Sequence, residues 1–135
     1  MRPAVYLDTG IFIAFLNRRD QWHPQAVALF STAKPRWSTS VLVVSEAYSW
    51  FLHRMGEEAA RSLLALLNRL HGLHLYEAST AHHEATVGML ERYRGTKLTY
   101  VDASSLCLMA DHRISTVWAT DHHLGLAGAE VLPRS

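Results

Sequence analysis

The chain has 135 residues, 49% of them hydrophobic and 19% charged, which fits one globular domain over residues 1–135 and excludes an intrinsically disordered chain. Its 13 Lys and Arg nearly cancel 12 Asp and Glu, so net charge argues neither for nor against a nucleic-acid partner. The single Cys107 excludes an internal disulfide and reads as a small buried hydrophobe, and no run approaches the roughly 18 apolar residues of a membrane-spanning helix.

In chain order, AVYLD (4–8) is a short apolar run ending at a polar turn, the pattern of a buried parallel strand, and IFIAFL then starts a helix. Asp8 therefore falls at a strand's carboxyl end. Because Asp8, Thr9 and Gly10 interrupt the apolar run, it does not read as a signal peptide, and the cytoplasm is the default compartment. HPQAVALF predicts a short helix with Pro24 in its first turn. RWSTS predicts a second strand, closing on hydroxyl residues that can cap the next helix. That helix, Val41 to about His53, is apolar almost all round and expected to be deeply packed.

Beyond Gly56, the residues Ala59, Ala60, Leu63, Leu64, Leu66, Leu67 and Leu70 recur at three- and four-residue steps, opposite Glu57, Glu58, Arg61, Asn68 and Arg69. This is the clearest amphipathic helix in the chain. GLHLYEA is a third strand, Ser79 or Thr80 caps a helix carrying Ala81, Ala85, Met89 and Tyr93, and GTKLTYV is a loop leading to Asp102. A helix from Ala103 to about Asp111 follows, then the strand STVWAT ending at Asp121 and a last short strand in AEVLP. Strands alternating with helices imply an α/β domain with a mainly parallel sheet.

In such sheets ligands bind beyond the carboxyl ends of the strands, where strand order reverses. Asp8 and Asp121 sit at such ends, and Asp102 opens a helix on the same side, where the helix dipole favours an ionised carboxylate. Glu46 has Leu42, Val43, Ser49 and Trp50 three and four steps away, a largely apolar face on which a glutamate should be paired or functional. Any one of these acids alone reads best as a turn, a cap or an ion-pair partner. Gathered together they repel, on the order of 4 kcal/mol for a pair about 4 Å apart at an effective dielectric near 20. Either some are protonated or a cation is present. Oxygen-only ligands favour Mg²⁺ or Mn²⁺ over zinc, and one or two such ions suit phosphodiester hydrolysis. With these acids committed to a cation, the remaining charges are net basic, a modest attraction for phosphates.

These residues resemble the signature of the PIN-domain nucleases, and the small size resembles the toxins of VapBC toxin–antitoxin pairs. YLDTGIF matches the opening strand with its Asp and Thr, SVLVVSEAY the helix with its Glu, LTYVDASSL the third acid and WATDHHLGLAG the fourth. The similarity covers almost the whole chain. It implies a three-layer domain with about five parallel strands between helices, hydrolysing RNA with Mg²⁺ or Mn²⁺. Asp8, Glu46, Asp102 and Asp121 would be the catalytic and metal-holding quartet, with Thr9 in support. It also implies a homodimer and a cognate antitoxin protein. Two positions depart from the pattern: Gly10 stands where Ser or Asn is common, which implies a weaker hydrogen bond behind the site, and Leu124 where an aromatic is common, which implies altered packing.

Among other features, the pairs His82, His83 and His122, His123 invite a zinc reading, but adjacent helical residues point about 100° apart and do not chelate as an i, i+4 pair does. His82 and His83 read as a solvated face; His122 and His123 follow Asp121 directly, and either a phosphate contact or a structural role is open to them. Trp50 and Trp118 read as core, and Trp22 as a contact for an antitoxin or a second copy. Arg18, Arg19, Arg92, Arg94 and Lys97 are loop cations that either guide RNA or are simply solvated. Two competing functions stand beside the ribonuclease: a PIN-type module that binds RNA or protein without cutting, and a haloacid-dehalogenase-type phosphatase. The second wants an acid where Gly10 stands.

Overall fold

The computed structural model describes residues 2–134. The chain runs β1 (Ala4–Leu7), α1 (Thr9–Leu16), α2 (His23–Thr32), β2 (Arg36–Ser40), α3 (Val41–Met55), α4 (Glu57–Arg69), β3 (His74–Tyr76), α5 (Thr80–Arg92), α6 (Tyr100–Asp111), β4 (Thr116–Trp118), a 3₁₀ turn (His122–Gly125) and β5 (Glu130–Leu132). The five strands make one parallel sheet in the order β3-β2-β1-β4-β5. Parallel neighbours need right-handed crossovers. Helices α1 to α4 therefore cover one face while α5 and α6, on the return from β3 to β4, cover the other, in keeping with the packing of α1 on α2 and α3 and of α5 on α6. This is the three-layer α/β architecture expected from the sequence.

Strand order reverses beside β1: the chain steps outward through β2 and β3, then returns to lay β4 on β1's other side. The amide of Asp8 donates to the carbonyl of Trp118 at 3.0 Å, tying the carboxyl ends of β1 and β4 together. The RWSTS hydroxyls divide their work. Ser40 caps α3, accepting from the amide of Val43 at 3.2 Å, whereas Ser38 and Thr39 donate to the carbonyls of Val5 and Leu7 at 2.9 and 2.7 Å. Both faces of the strand are thus buried, and the hydroxyls of Ser38 and Thr39 help to fix the end of β1 from which Asp8 projects.

An aromatic cluster fills the α1–α2 side of the core. Phe30 stacks on Trp37 at 5.6 Å between centroids, and both meet the edge or face of Trp118 at 5.1 and 5.3 Å. Cys107 is buried and free. Gly56 separates α3 from α4 at φ 97°, a left-handed conformation that residues with a Cβ rarely adopt. Of the amphipathic stripe on α4, Ala60, Leu63 and Leu66 are buried but Leu64 is exposed. Trp50 corrects the sequence reading in the same way. It is half-buried rather than core, with the Arg54 guanidinium 5.8 Å from its ring, since α3 carries it to the surface. No helix among the described residues is long and apolar enough to cross a membrane.

Candidate active site

Asp8 is the residue between β1 and α1, and only 4% of it is exposed. Among the described residues its Oδ1 is the one buried side-chain nitrogen or oxygen without a hydrogen-bond partner. Asp102 lies in the first turn of α6, which begins at Tyr100 and not at Ala103 as the sequence suggests. The cause is a reciprocal cap: the Thr99 hydroxyl accepts from the Asp102 amide at 3.1 Å, and the Asp102 carboxylate accepts from the Thr99 amide at 3.5 Å. Asp121 heads the 3₁₀ turn and accepts from the amide of His123 at 2.9 Å.

Glu46 departs from expectation. Its apolar neighbours do not bury it: Val43, Ala47 and Phe51 turn to the core, and Glu46 is on the exposed side of α3. It is nonetheless paired, since Thr9, at the start of α1, donates its hydroxyl to Glu46 Oε1 at 2.5 Å.

The four acids influence one another. Burial pushes the Asp8 carboxyl up to about 7, and repulsion by Asp102, Glu46 and Asp121 adds to it, against a hydrogen bond from the Thr9 backbone. Asp102 is also raised, first by burial and then by Asp121, while hydrogen bonds from Thr99 and the nearness of His123 oppose the shift. A set of oxygen donors that repel one another, one of them a buried oxygen with no partner, fits a hard divalent cation. Asp8, Glu46, Asp102 and Asp121 are the residues that would hold it.

His123 belongs to the same cluster. Its Nδ1 is 3.0 and 3.2 Å from the two oxygens of Asp121 and 3.8 Å from Asp102 Oδ2, and its Nε2 is 3.1 Å from the carbonyl of Thr96. His122 points outward, 90% exposed, with Nδ1 3.8 Å from Asp121. His82 is not a solvated residue: its Nε2 meets the buried Ser104 hydroxyl at 2.6 Å, pinning α5 to α6, while His83 stays exposed beside the Tyr100 hydroxyl. Arg18, Arg19, Arg92, Arg94 and Lys97 are all exposed, Arg94 paired with Glu91. Trp22 is half-buried against the core. Thr99 is a neighbour of the acids that sequence reasoning left without a role, and His123 is one for which it left a phosphate contact and a structural role both open. The Thr99-x-x-Asp102 spacing carried a capping signal, whereas the local sequence marked His123 only by its closeness to Asp121.

Comparison with known proteins places the chain in a family. The PIN domain matches residues 5–128. The 23S rRNA-specific endonuclease VapC20 of Mycobacterium tuberculosis is 30% identical over 131 residues, which is 96% of this chain and 98% of that protein. The crystal structure of that protein, described as a sarcin–ricin loop cleaving toxin, superposes with a TM-score of 0.84 at 26% identity over 93% of this chain and 95% of the other. A toxin–antitoxin complex from Klebsiella pneumoniae shares the fold, with a TM-score of 0.67 at 19% identity over 96% of each chain. With Asp8 and Asp121 at the switch point of a five-stranded parallel sheet, and with this coverage, the chain belongs to the PIN-domain family, among its VapC-type members.

Proposed function

We propose that this chain is a Mg²⁺- or Mn²⁺-dependent endoribonuclease, the toxin of a toxin–antitoxin pair, cutting RNA at the site formed by Asp8, Glu46, Asp102 and Asp121. The observation that carries the reading is the buried, unpartnered Asp8 Oδ1 within mutually repelling carboxylates. Such a cluster is relieved either by protonation or by a cation, and its oxygen-only donors suit a hard divalent ion.

When bound, a divalent cation supplies charge neutralisation at the scissile phosphate and makes a water more acidic. The chain's own residues do the rest. Asp8 just after β1, Asp102 in the first turn of α6 and Asp121 at the head of the 3₁₀ turn after β4 define where the phosphate can sit. Glu46, oriented by Thr9 and open to solvent, is placed to accept a proton from an attacking water. The name of the relative from Mycobacterium tuberculosis makes a structured ribosomal RNA loop the first substrate to try. A cognate antitoxin and a homodimeric state are part of the same proposal.

The test is cleavage of a synthetic ribosomal hairpin loop with Mg²⁺ or Mn²⁺, with EDTA, and with Asp8→Asn or Asp102→Asn. Cleavage that needs the metal and disappears in both variants supports the reading. Tight RNA binding with no cleavage over a broad RNA panel points instead to a module that holds RNA without cutting it. Equilibrium sedimentation gives the oligomeric state.

A further inference from the structure

The roles of the two histidines after Asp121 differ, and their surroundings say how. His122 is solvated, whereas the His123 ring is held on both sides and only 21% of its side chain is exposed. The carbonyl of Thr96 can only accept, so His123 Nε2 carries a hydrogen and donates it across 3.1 Å. Nδ1 faces both oxygens of Asp121 at 3.0 and 3.2 Å and Asp102 Oδ2 at 3.8 Å, so this ring nitrogen opens into the same space as the carboxylates. Backing of the distal ring nitrogen by a backbone carbonyl is how proteins orient a histidine that ligates a metal.

We infer that His123 Nδ1 is a nitrogen ligand to the divalent cation of this site, and that it biases the site toward Mn²⁺ over Mg²⁺. The inference rests on the reading that the four acids hold a cation, and it deepens that reading by adding a donor of different chemistry. The spacing suits it. Adjacent ligands of an octahedral ion with bonds of roughly 2.1 Å lie about 3 Å apart, the separation of Nδ1 from Asp121 Oδ1. The unpartnered Asp8 Oδ1 is an independent sign that the neighbouring carboxylates await a cation. Selectivity follows from donor type. Mg²⁺ keeps to oxygen ligands and gives up water reluctantly, whereas imidazole nitrogen favours the transition metals.

The experiment is pulsed electron paramagnetic resonance on the full chain loaded with Mn²⁺, with no RNA present. Nitrogen modulation from a directly bound imidazole is expected, changing from the ¹⁴N to the ¹⁵N pattern when the protein is made with ¹⁵N-histidine. It should vanish in His123→Gln and persist in His122→Gln. Competition between Mn²⁺ and Mg²⁺, followed by the same resonance, should show the preference for Mn²⁺ falling about tenfold or more in His123→Gln. The labelled wild-type protein needs no substitution, so a variant that fails to fold leaves the first readout intact. Mn²⁺ held without nitrogen modulation, or modulation that survives His123→Gln, overturns the inference while leaving the acidic metal site standing. No Mn²⁺ binding at all overturns both.

Discussion

Thr120 occupies the space that a side chain at position 10 would need: a Cβ on Gly10 would stand 2.2 Å from the Thr120 hydroxyl oxygen. The glycine, a departure from the family's usual Ser or Asn, is therefore matched by a threonine next to the fourth acid. Gly10→Ala should destabilise the fold by about 1–3 kcal/mol through overpacking. Adding Thr120→Ala should recover most of it, since the remaining contacts of 3.3 Å need only small shifts. A double-mutant cycle by urea denaturation measures the coupling; additive effects would show that the two positions do not compete.

The raised protonation of Asp8 makes the metal-free protein sensitive to pH. Its carboxyl is pushed from 3.8 to about 7 on folding, so the folded state holds the proton more tightly than the unfolded chain does. The contribution of Asp8 to stability is then greatest below about 4 and is lost as the pH climbs through 7, by on the order of 4 kcal/mol in total. In EDTA, urea denaturation should give a less stable protein at pH 8 than at pH 5.5, with the difference much reduced in Asp8→Asn. Saturating Mn²⁺ should restore stability at pH 8. Equal pH dependence in wild type and variant would assign the effect elsewhere.

Thr9→Val removes the hydroxyl that donates to Glu46 and little else, because Thr9 is buried and the two side chains have nearly the same shape. Stability should change by no more than about 1.5 kcal/mol. The cleavage rate should fall about tenfold, the equivalent of about 1.4 kcal/mol in the barrier, with substrate affinity little altered. Single-turnover kinetics separates the two quantities.

Thr99→Ala acts on structure and site together. Loss of the cap on α6 should cost about 1 kcal/mol, read from the urea midpoint. Thr99 also counters the raised protonation of Asp102, so its removal should move that carboxyl further up. The acid limb of the cleavage pH profile should shift to higher pH; a purely structural role would lower stability and leave the profile in place.

Much of this protein was legible in its residues. Apolar runs of strand length, a 3.6-residue stripe and cap residues such as Ser79 marked the elements, because secondary structure answers to neighbours a few residues away. Asp8 and Asp121 were legible as strand-end acids for the same reason. What the local pattern could not contain is which distant chain meets which side chain. Glu46 was expected on an apolar face, yet α3 turns it outward to meet Thr9, 37 residues earlier. His82 looked solvated until α6 brought Ser104 against it.

The sequence left two roles open for His123 because its setting is made by the Thr96 carbonyl on one side and Asp102 and Asp121 on the other. Gly10 seemed a loss until Thr120 was seen to fill its place. Periodicity and local capping were enough to set the parallel α/β architecture, with Asp8 just after β1 and Asp121 a short way beyond β4. Only the tertiary structure decided which groups bury, pair or repel, since those energies depend on separations of a few ångströms between residues far apart in the chain.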